Sequence, residues 1–324
     1  MRIAIAGGGM TGAYLYNLLI AKGLHVDIFD KKPITSCGLT PCAWGTSRGF
    51  AELVGAVGLD ASRYILNNPD HLVIDGLKIR AELMTIDKRM LIGDLLQGVE
   101  IKHTLPDVSK YERIIDATGV SRAFLPSIKD DFVLPCVQFR VRSDGPLDNR
   151  IKLGRVGYAW CFPLSEREYH IGCGSLFSDP RTTLKEIGWM EKDISQKEIV
   201  CACTGVIRLA GPQSAQPFVV SGSDHEIWGL GEAIGCVAPL AGDGIIPGMR
   251  SAQIMMEHWD DPSGYTKAIL REFRWMQGER KVVEKLRNKE PFRLGDAWVL
   301  KKNSKRMAMN VGIKDAAALL NHLR

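Results

Sequence analysis

The chain has 324 residues, 45% of them hydrophobic and 24% charged. That balance suits a soluble globular protein of about two domains and gives no reason to expect extensive disorder. The net charge of +5 is uneven, because residues 263–324 carry 15 Lys/Arg against 6 Asp/Glu. This basic end suits either a solvated helical face or contact with an anionic partner such as lipid headgroups. No nucleic-acid-binding motif is present, and no run reaches the ~18 apolar residues of a membrane-spanning helix. The opening Met1-Arg2-Ile3 leads into glycines rather than a cleavage site, so a cytoplasmic location is expected. Of the eight cysteines, neither close pair, Cys37/Cys42 or Cys201/Cys203, has a histidine nearby at ligand spacing. No metal site is therefore expected, and most of the thiols read as small buried hydrophobes.

In chain order, residues 2–6 form an apolar run that predicts a buried parallel strand. Gly7, Gly9 and Gly12 follow, then a helix through residue 23, and a second strand that ends at Asp30. The spacing Gly7-x-Gly9-x-x-Gly12, between a strand and a helix, predicts a dinucleotide site. Gly7 permits the tight turn, Gly9 lets the backbone approach a pyrophosphate, and Gly12 lets helix and strand pack closely. Met10 and Thr11 open the helix, whose free N–H groups and dipole favour phosphate. Asp30 would accept hydrogen bonds from a ribose, with Lys31 beside it.

Residues 33–49 read as loop, and Glu52–Val57 as the start of a helix. Weak strands follow at 73–84, then a helix at 88–96 and a buried strand at 113–117. From about residue 130 the alternation is period two, at 132–142, 150–164 and 169–177, which predicts an antiparallel sheet. A helix is expected at 184–194, a buried strand at 227–230 and a helix at 245–259. The remaining residues read as helices broken by Pro262, Pro291 and Gly312. The predicted architecture is α/β: a doubly wound Rossmann-type domain from residues 1–128 and 222–262, an inserted antiparallel sheet at 129–221, and a helical C-terminal segment at 263–324.

Three further segments carry a resemblance. Ala117-Thr118-Gly119 ends a strand as the A-T-G segment of many flavoproteins does. Gly231-Glu232-Ala233-Ile234-Gly235 and Pro239-Leu240-Ala241-Gly242-Asp243-Gly244 precede a helix that begins at Ile245. They are similar to the G-D-A-A-G and P-x-x-G-x-G segments of the hydroxybenzoate-hydroxylase-like flavoproteins, with Glu232 in place of the usual Asp. This resemblance implies FAD as cofactor, with Glu232 on the ribityl chain and Gly242, Gly244 and Ile245 near the flavin ring. Tyr158-x-Trp160-x-Phe162-Pro163, followed by Gly172-x-Gly174, resembles the Y-x-W-x-F-P…G-x-G motif of the geranylgeranyl reductases. Alternation places the three aromatics on one face of a strand, an apolar wall suited to an isoprenoid chain, and the glycines would leave room for a ligand.

Pro41-Cys42-Ala43-x-Gly45 resembles the P-C-G loop of the same family. The resemblance assigns Cys42 as near-flavin cysteine and candidate proton donor, with Ala43 beside it and Cys37 as a disulfide or redox companion. Asp87-Lys88-Arg89 resembles the family's D-R pair, with Arg89 taking the arginine's role one position along. The implied activity is FAD-dependent saturation of isolated double bonds in an isoprenoid lipid, with ferredoxin or a nicotinamide nucleotide as electron donor and peripheral contact with a membrane. Two alternatives stand beside it: a flavin monooxygenase or dehydrogenase acting on a polar aromatic, and a non-catalytic isoprenoid-binding or electron-transfer flavoprotein.

Overall fold

The computed structural model describes residues 1–31, 42–154 and 157–322. Ile3–Ala6 is buried at every position because it lies inside a six-stranded sheet. The order across that sheet is 219–221, 226–229, 113–116, 3–6, 26–29 and 101–102, all parallel except the first. Helix Met10–Ala21 leaves the end of Ile3–Ala6 and packs beside helix Ile245–Glu257. Ile5, Tyr14, Leu15, Ile115, Trp228 and Met249 share the core beneath them.

The second sheet has seven strands in the order 198–208, 133–142, 168–175, 157–163, 150–154, 71–74 and 77–80. Its alternation gives two apolar faces. Phe139, Ala159, Cys161 and Ile171 pack under Leu184, Trp189 and Ile194. Leu134, Trp160 and Phe162 face the other way, into a cluster that includes Val282, Ala297, Leu319 and Leu320 of the C-terminal helices. Those helices run from 262–272, 276–288, 294–304 and 313–322. A third, small sheet joins 45–46, 84–86 and 65–67.

Several elements differ from the sequence expectation. The hairpin 71–80 pairs with strand 150–154, so residues 1–128 contribute to both large sheets. Val219–Ser221 pairs within the parallel sheet, on the far side of the expected boundary at 221. The helix expected at 184–194 is instead a helix at 180–186, capped by Asp179 onto the amides of Arg181 and Thr182, followed by a short wider turn at 190–194. Strand Glu198–Arg208 was not expected at all.

Candidate cofactor and substrate site

The glycine turn is shaped by close approach. A Cβ on Gly7, where φ is +110°, would stand 2.2 Å from the Ala117 carbonyl oxygen, and one on Gly12 would stand 1.9 Å from the Gly7 oxygen. Both positions are therefore closed to any other residue. Gly9 is different: it caps helix 10–21 without a side-chain hydrogen bond, and a Cβ there would meet nothing within 4 Å. Open space over uncapped helix N–H groups is the shape a pyrophosphate fills. Asp30 is half-buried and accepts a hydrogen bond from the Gly8 amide at 3.1 Å, which places its carboxylate beside the turn. Met10 is buried and Lys31 exposed.

The second half of the cradle is locked to the first through Thr11. Gly231 and Gly248 lie against its side chain, where added Cβ atoms would fall 2.9 and 2.3 Å from Oγ1. The Ser251 hydroxyl accepts from the Gly231 amide at 3.1 Å and donates to the Gly248 carbonyl. Asp116, fully buried, accepts from the amides of Thr118, Phe124 and Leu125 and from the Thr118 hydroxyl. It thus holds the Ala117-Thr118-Gly119 turn, where Gly119 has φ +64°. Glu232 reaches this turn as well, since a Cβ on Gly119 would stand 3.2 Å from its Oε2. Its Oε1 accepts from the Arg208 amide at 2.8 Å. Burial raises the Glu232 pKa, opposed by Arg208 and Lys88. Arg89, assigned the cationic role from sequence, is exposed. Of the two cations that open the helix at 88–95, which Asp87 caps, Lys88 acts on Glu232, alongside the stronger effect of Arg208.

Arg208 was missed by sequence reasoning. It pairs with Asp131 at 2.9 Å and donates to the carbonyls of Gly119, Val120 and Glu232. One guanidinium thereby ties strand 198–208 to two cofactor turns, a geometry that its five fixed donors allow.

Cys42, Ala43 and Trp44 are hung on the antiparallel sheet. The Gln138 amide donates to the Cys42 carbonyl at 3.0 Å and accepts from the Trp160 indole at 3.2 Å. His170 contacts the Ala43 carbonyl at 3.3 Å and meets the Trp44 ring edge-on. Burial pushes its pKa down to about 4, so its ring is neutral near pH 7. Trp44 itself has φ +61°, an uncommon backbone state for a bulky residue. Cys136, another residue not singled out from sequence, is buried on the same face. Burial pushes its thiol up to about 12, with Cys173, Glu232 and Cys42 acting in the same direction. Cys37 and Pro41 lie outside the described residues.

Tyr158, Trp160 and Phe162 do share one strand face. The glycines opposite them need a correction, because the room left by Gly172 and Gly174 is already filled. Trp160 lies directly across from Gly172 and Tyr158 from Gly174. A Cβ on Gly172 would be 2.3 Å from the Trp160 indole, and one on Gly174 would be 2.7 Å from Leu134. Gly172 therefore seats Trp160 of the aromatic wall, as cross-strand rings cover glycines, and Gly174 seats Leu134 of the neighbouring strand. Trp160 and Phe162 are buried, and Pro163 accepts from the Thr85 hydroxyl at 2.6 Å.

The wall also touches the loop before helix 245–257. The Tyr158 hydroxyl donates to the Ala241 carbonyl at 2.7 Å, and Gly242, at φ +67°, lies against it. In that loop Asp243 accepts from the Ile245 amide, and burial raises its pKa to about 6. Gly244 precedes the buried Ile245. Glu279, from helix 276–288, accepts from the Leu240 amide at 3.1 Å, and burial raises its pKa to about 7. Both carboxyls therefore keep their protons to higher pH than an exposed acid does. Sequence reasoning assigned Asp243 no role beyond its place in the glycine-rich segment and did not point to Glu279.

No family model matches the chain. A geranylgeranyl bacteriochlorophyll reductase-like protein of Thermoplasma acidophilum is similar over 99% of this chain and 95% of its own, with a TM-score of 0.72 and 16% identity. The fold is that of the FAD-dependent flavoproteins. It is shared with a probable FAD-dependent monooxygenase of Pseudomonas aeruginosa, TM-score 0.62 at 15% identity over 93% of this chain and 99% of that one. A tryptophan 6-halogenase of Streptomyces toxytricini gives a TM-score of 0.64 at 13% identity over 99% and 90%. In sequence, an uncharacterized protein of Methanocaldococcus jannaschii is 23% identical over 305 residues, spanning 79% of this chain and 82% of its own. Among the described residues no helix is long and apolar enough to cross a membrane.

Proposed function

We propose that the chain binds FAD and saturates isolated double bonds in the isoprenoid chain of a lipid, quinone or related precursor, with electrons from a ferredoxin or a nicotinamide nucleotide. One observation carries the reading: an aromatic strand face is linked through Gln138 to the Cys42 segment on one side and hydrogen-bonded to the 239–244 loop on the other. An apolar wall between those segments suits a hydrocarbon chain and keeps water away. The open position at Gly9, the uncapped helix N-terminus and Asp30 fit the pyrophosphate and ribose of the dinucleotide.

An isolated alkene has no carbonyl to polarise, so it takes a hydride at one carbon and a proton at the other. FAD, when bound and reduced, supplies the hydride. The protein must hold the chain within ~3–3.5 Å of both donors. Cys42 is the proposed proton donor at its Sγ, and Gln138 and His170 fix the backbone that carries it. On the opposite loop, burial raises the Asp243 and Glu279 pKa values to about 6 and 7.

The test is expression beside an isoprenoid lipid pathway, with mass spectrometry of the lipids. A gain of two hydrogens per bond, lost in a Trp160 variant that still binds flavin, supports the reading. A second reading, a flavin monooxygenase acting on a polar aromatic, is favoured by the buried Gln138 and His170 beside the Cys42 segment. It predicts rapid oxygen consumption with a nicotinamide donor and unchanged lipids.

A further inference from the structure

Helix 294–304 buries polar groups and leaves two large apolar residues outside. Its buried side carries Asp296, Asn303 and Ser304, at 7%, 5% and 3% exposure, beside Ala297 and the partly buried Val299 and Leu300, while Leu294 and Trp298 stand in solvent at 79% and 59%. The inward polar groups are satisfied, so this orientation is fixed by bonding. Asp296 accepts from the Lys285 ammonium at 2.7 Å and from the Arg293 amide at 2.6 Å. Asn303 donates to the Trp275 carbonyl and Ser304 to that of Lys301. At ~100° per residue, Leu294, Trp298, Lys301, Lys302 and, just past the helix end, Lys305 fall within an arc of roughly 100°. The one carboxylate between residues 294 and 305 is Asp296, which points inward.

We infer that this face is a docking surface for an anionic lipid bilayer. The Lys301 ammonium stands 4.7 Å from the centre of the Trp298 ring. That is the pairing suited to an interface, with an amphipathic ring at headgroup level and a lysine reaching past it to phosphate. Lys305 continues the charge into a cleft of about 300 Å³ lined by Arg48, Arg80 and Glu82, where Glu82 is paired with Arg48. A second copy fits poorly. A two-fold contact would bring the two lysine clusters together, and a patch of two apolar side chains is small beside the ~800 Å² per partner of a stable dimer. The inference rests on the lipid-substrate reading for its purpose alone; vesicles without a reducible chain test it separately.

The experiment is co-sedimentation of the full, flavin-loaded chain with vesicles of phosphatidylcholine alone or mixed with phosphatidylglycerol. The expected result is binding to the mixed vesicles at 0.1 M salt that fades towards 1 M, as the Debye length falls from ~10 to ~3 Å. Lys301→Glu with Lys302→Glu should weaken it at least roughly thirtyfold. Leu294→Ser with Trp298→Ser should weaken it at unchanged charge and remove the blue shift of tryptophan emission. All four positions lie on the outward face, so flavin content and melting temperature serve as folding controls. Equal binding to neutral vesicles, no binding at low salt, or indifference to the Leu294/Trp298 pair would overturn the inference. So would a concentration-dependent dimer abolished by that pair, which would assign the face to a second copy.

Discussion

Gly9→Val separates cofactor binding from folding, because Gly9 alone among the three motif glycines has open space beside it. With nothing within 4 Å of its Cβ and an extended backbone, valine costs the apoprotein little beyond a poorer helix cap, about 1 kcal/mol. Bound FAD would meet the side chain where its pyrophosphate approaches the backbone. Losing two charge-assisted hydrogen bonds, at ~1.5–3 kcal/mol each, removes about 3 kcal/mol or more, at least a hundredfold in affinity. Gly12→Ala is the contrasting variant: its Cβ would stand 1.9 Å from the Gly7 carbonyl oxygen, so strand and helix must part and the fold should melt earlier. The assay is flavin titration of the apoprotein by fluorescence, with melting curves for both variants. Full flavin occupancy in Gly9→Val would refute the cofactor assignment, and a Gly12→Ala protein that melts like the parent would refute the steric argument.

Gly172→Ala should destabilise the parent, where the new methyl meets the Trp160 indole and the Val137 carbonyl oxygen. A Trp160→Ala background should relieve the indole's part of that cost and leave the carbonyl's, and fully additive melting shifts would show that the indole contributes none. Trp160→Ala alone should cost ~3–5 kcal/mol of stability yet leave flavin absorbance intact, whereas loss of flavin with substrate would mark the wall as plain core. Glu279 has its pKa raised from 4.5 to about 7, so its contribution is full below pH 4.5 and is lost as pH rises through 7, on the order of 3 kcal/mol. Arg306 opposes that loss and Asp243 adds to it. Glu279→Gln should therefore raise the melting temperature at pH 8 and not at pH 4; equal gains at both would contradict the buried-acid account. Gln138→Leu leaves the Cys42 carbonyl and the Trp160 indole N–H without this partner, at about 1–3 kcal/mol each. It should also change the rate at which Cys42 reacts with a thiol reagent; an unchanged rate would separate Gln138 from the cysteine segment.

The parallel sheet was legible because its signals are steric. Gly7 and Gly12 are required by contacts of 2.2 and 1.9 Å, and such contacts leave little choice of residue. Strand 198–208 left no such mark. It is the edge of its sheet, so its outer face is open, and Ile-Val-Cys-Ala-Cys-Thr shows no polar–apolar alternation to read. Hairpin 71–80 reads as strand from sequence, but nothing local names its partner at residues 150–151. The helix at 180–186 did carry a signal, Asp179 followed by Pro180, the cap and first-turn pair that opens a helix.

The site divides along a similar line. Residues that shape backbone were found by motif, whereas residues that join one segment to another were not, because their partners lie far away in sequence. Arg208 reaches Gly119, Val120 and Asp131, and Gln138 reaches Cys42; neither bond has a local pattern. Glu279 was more accessible than it looked. In helix 276–288, Met276, Glu279, Arg280 and Val283 recur at the three- and four-residue spacing of one buried face. A carboxylate on an apolar stripe must find a donor or keep its proton. Glu279 does both, since it accepts from the Leu240 amide and its pKa is raised by burial. A charge set into the buried stripe of a basic tail was therefore the signal in the sequence for a link between that tail and the glycine-rich loop.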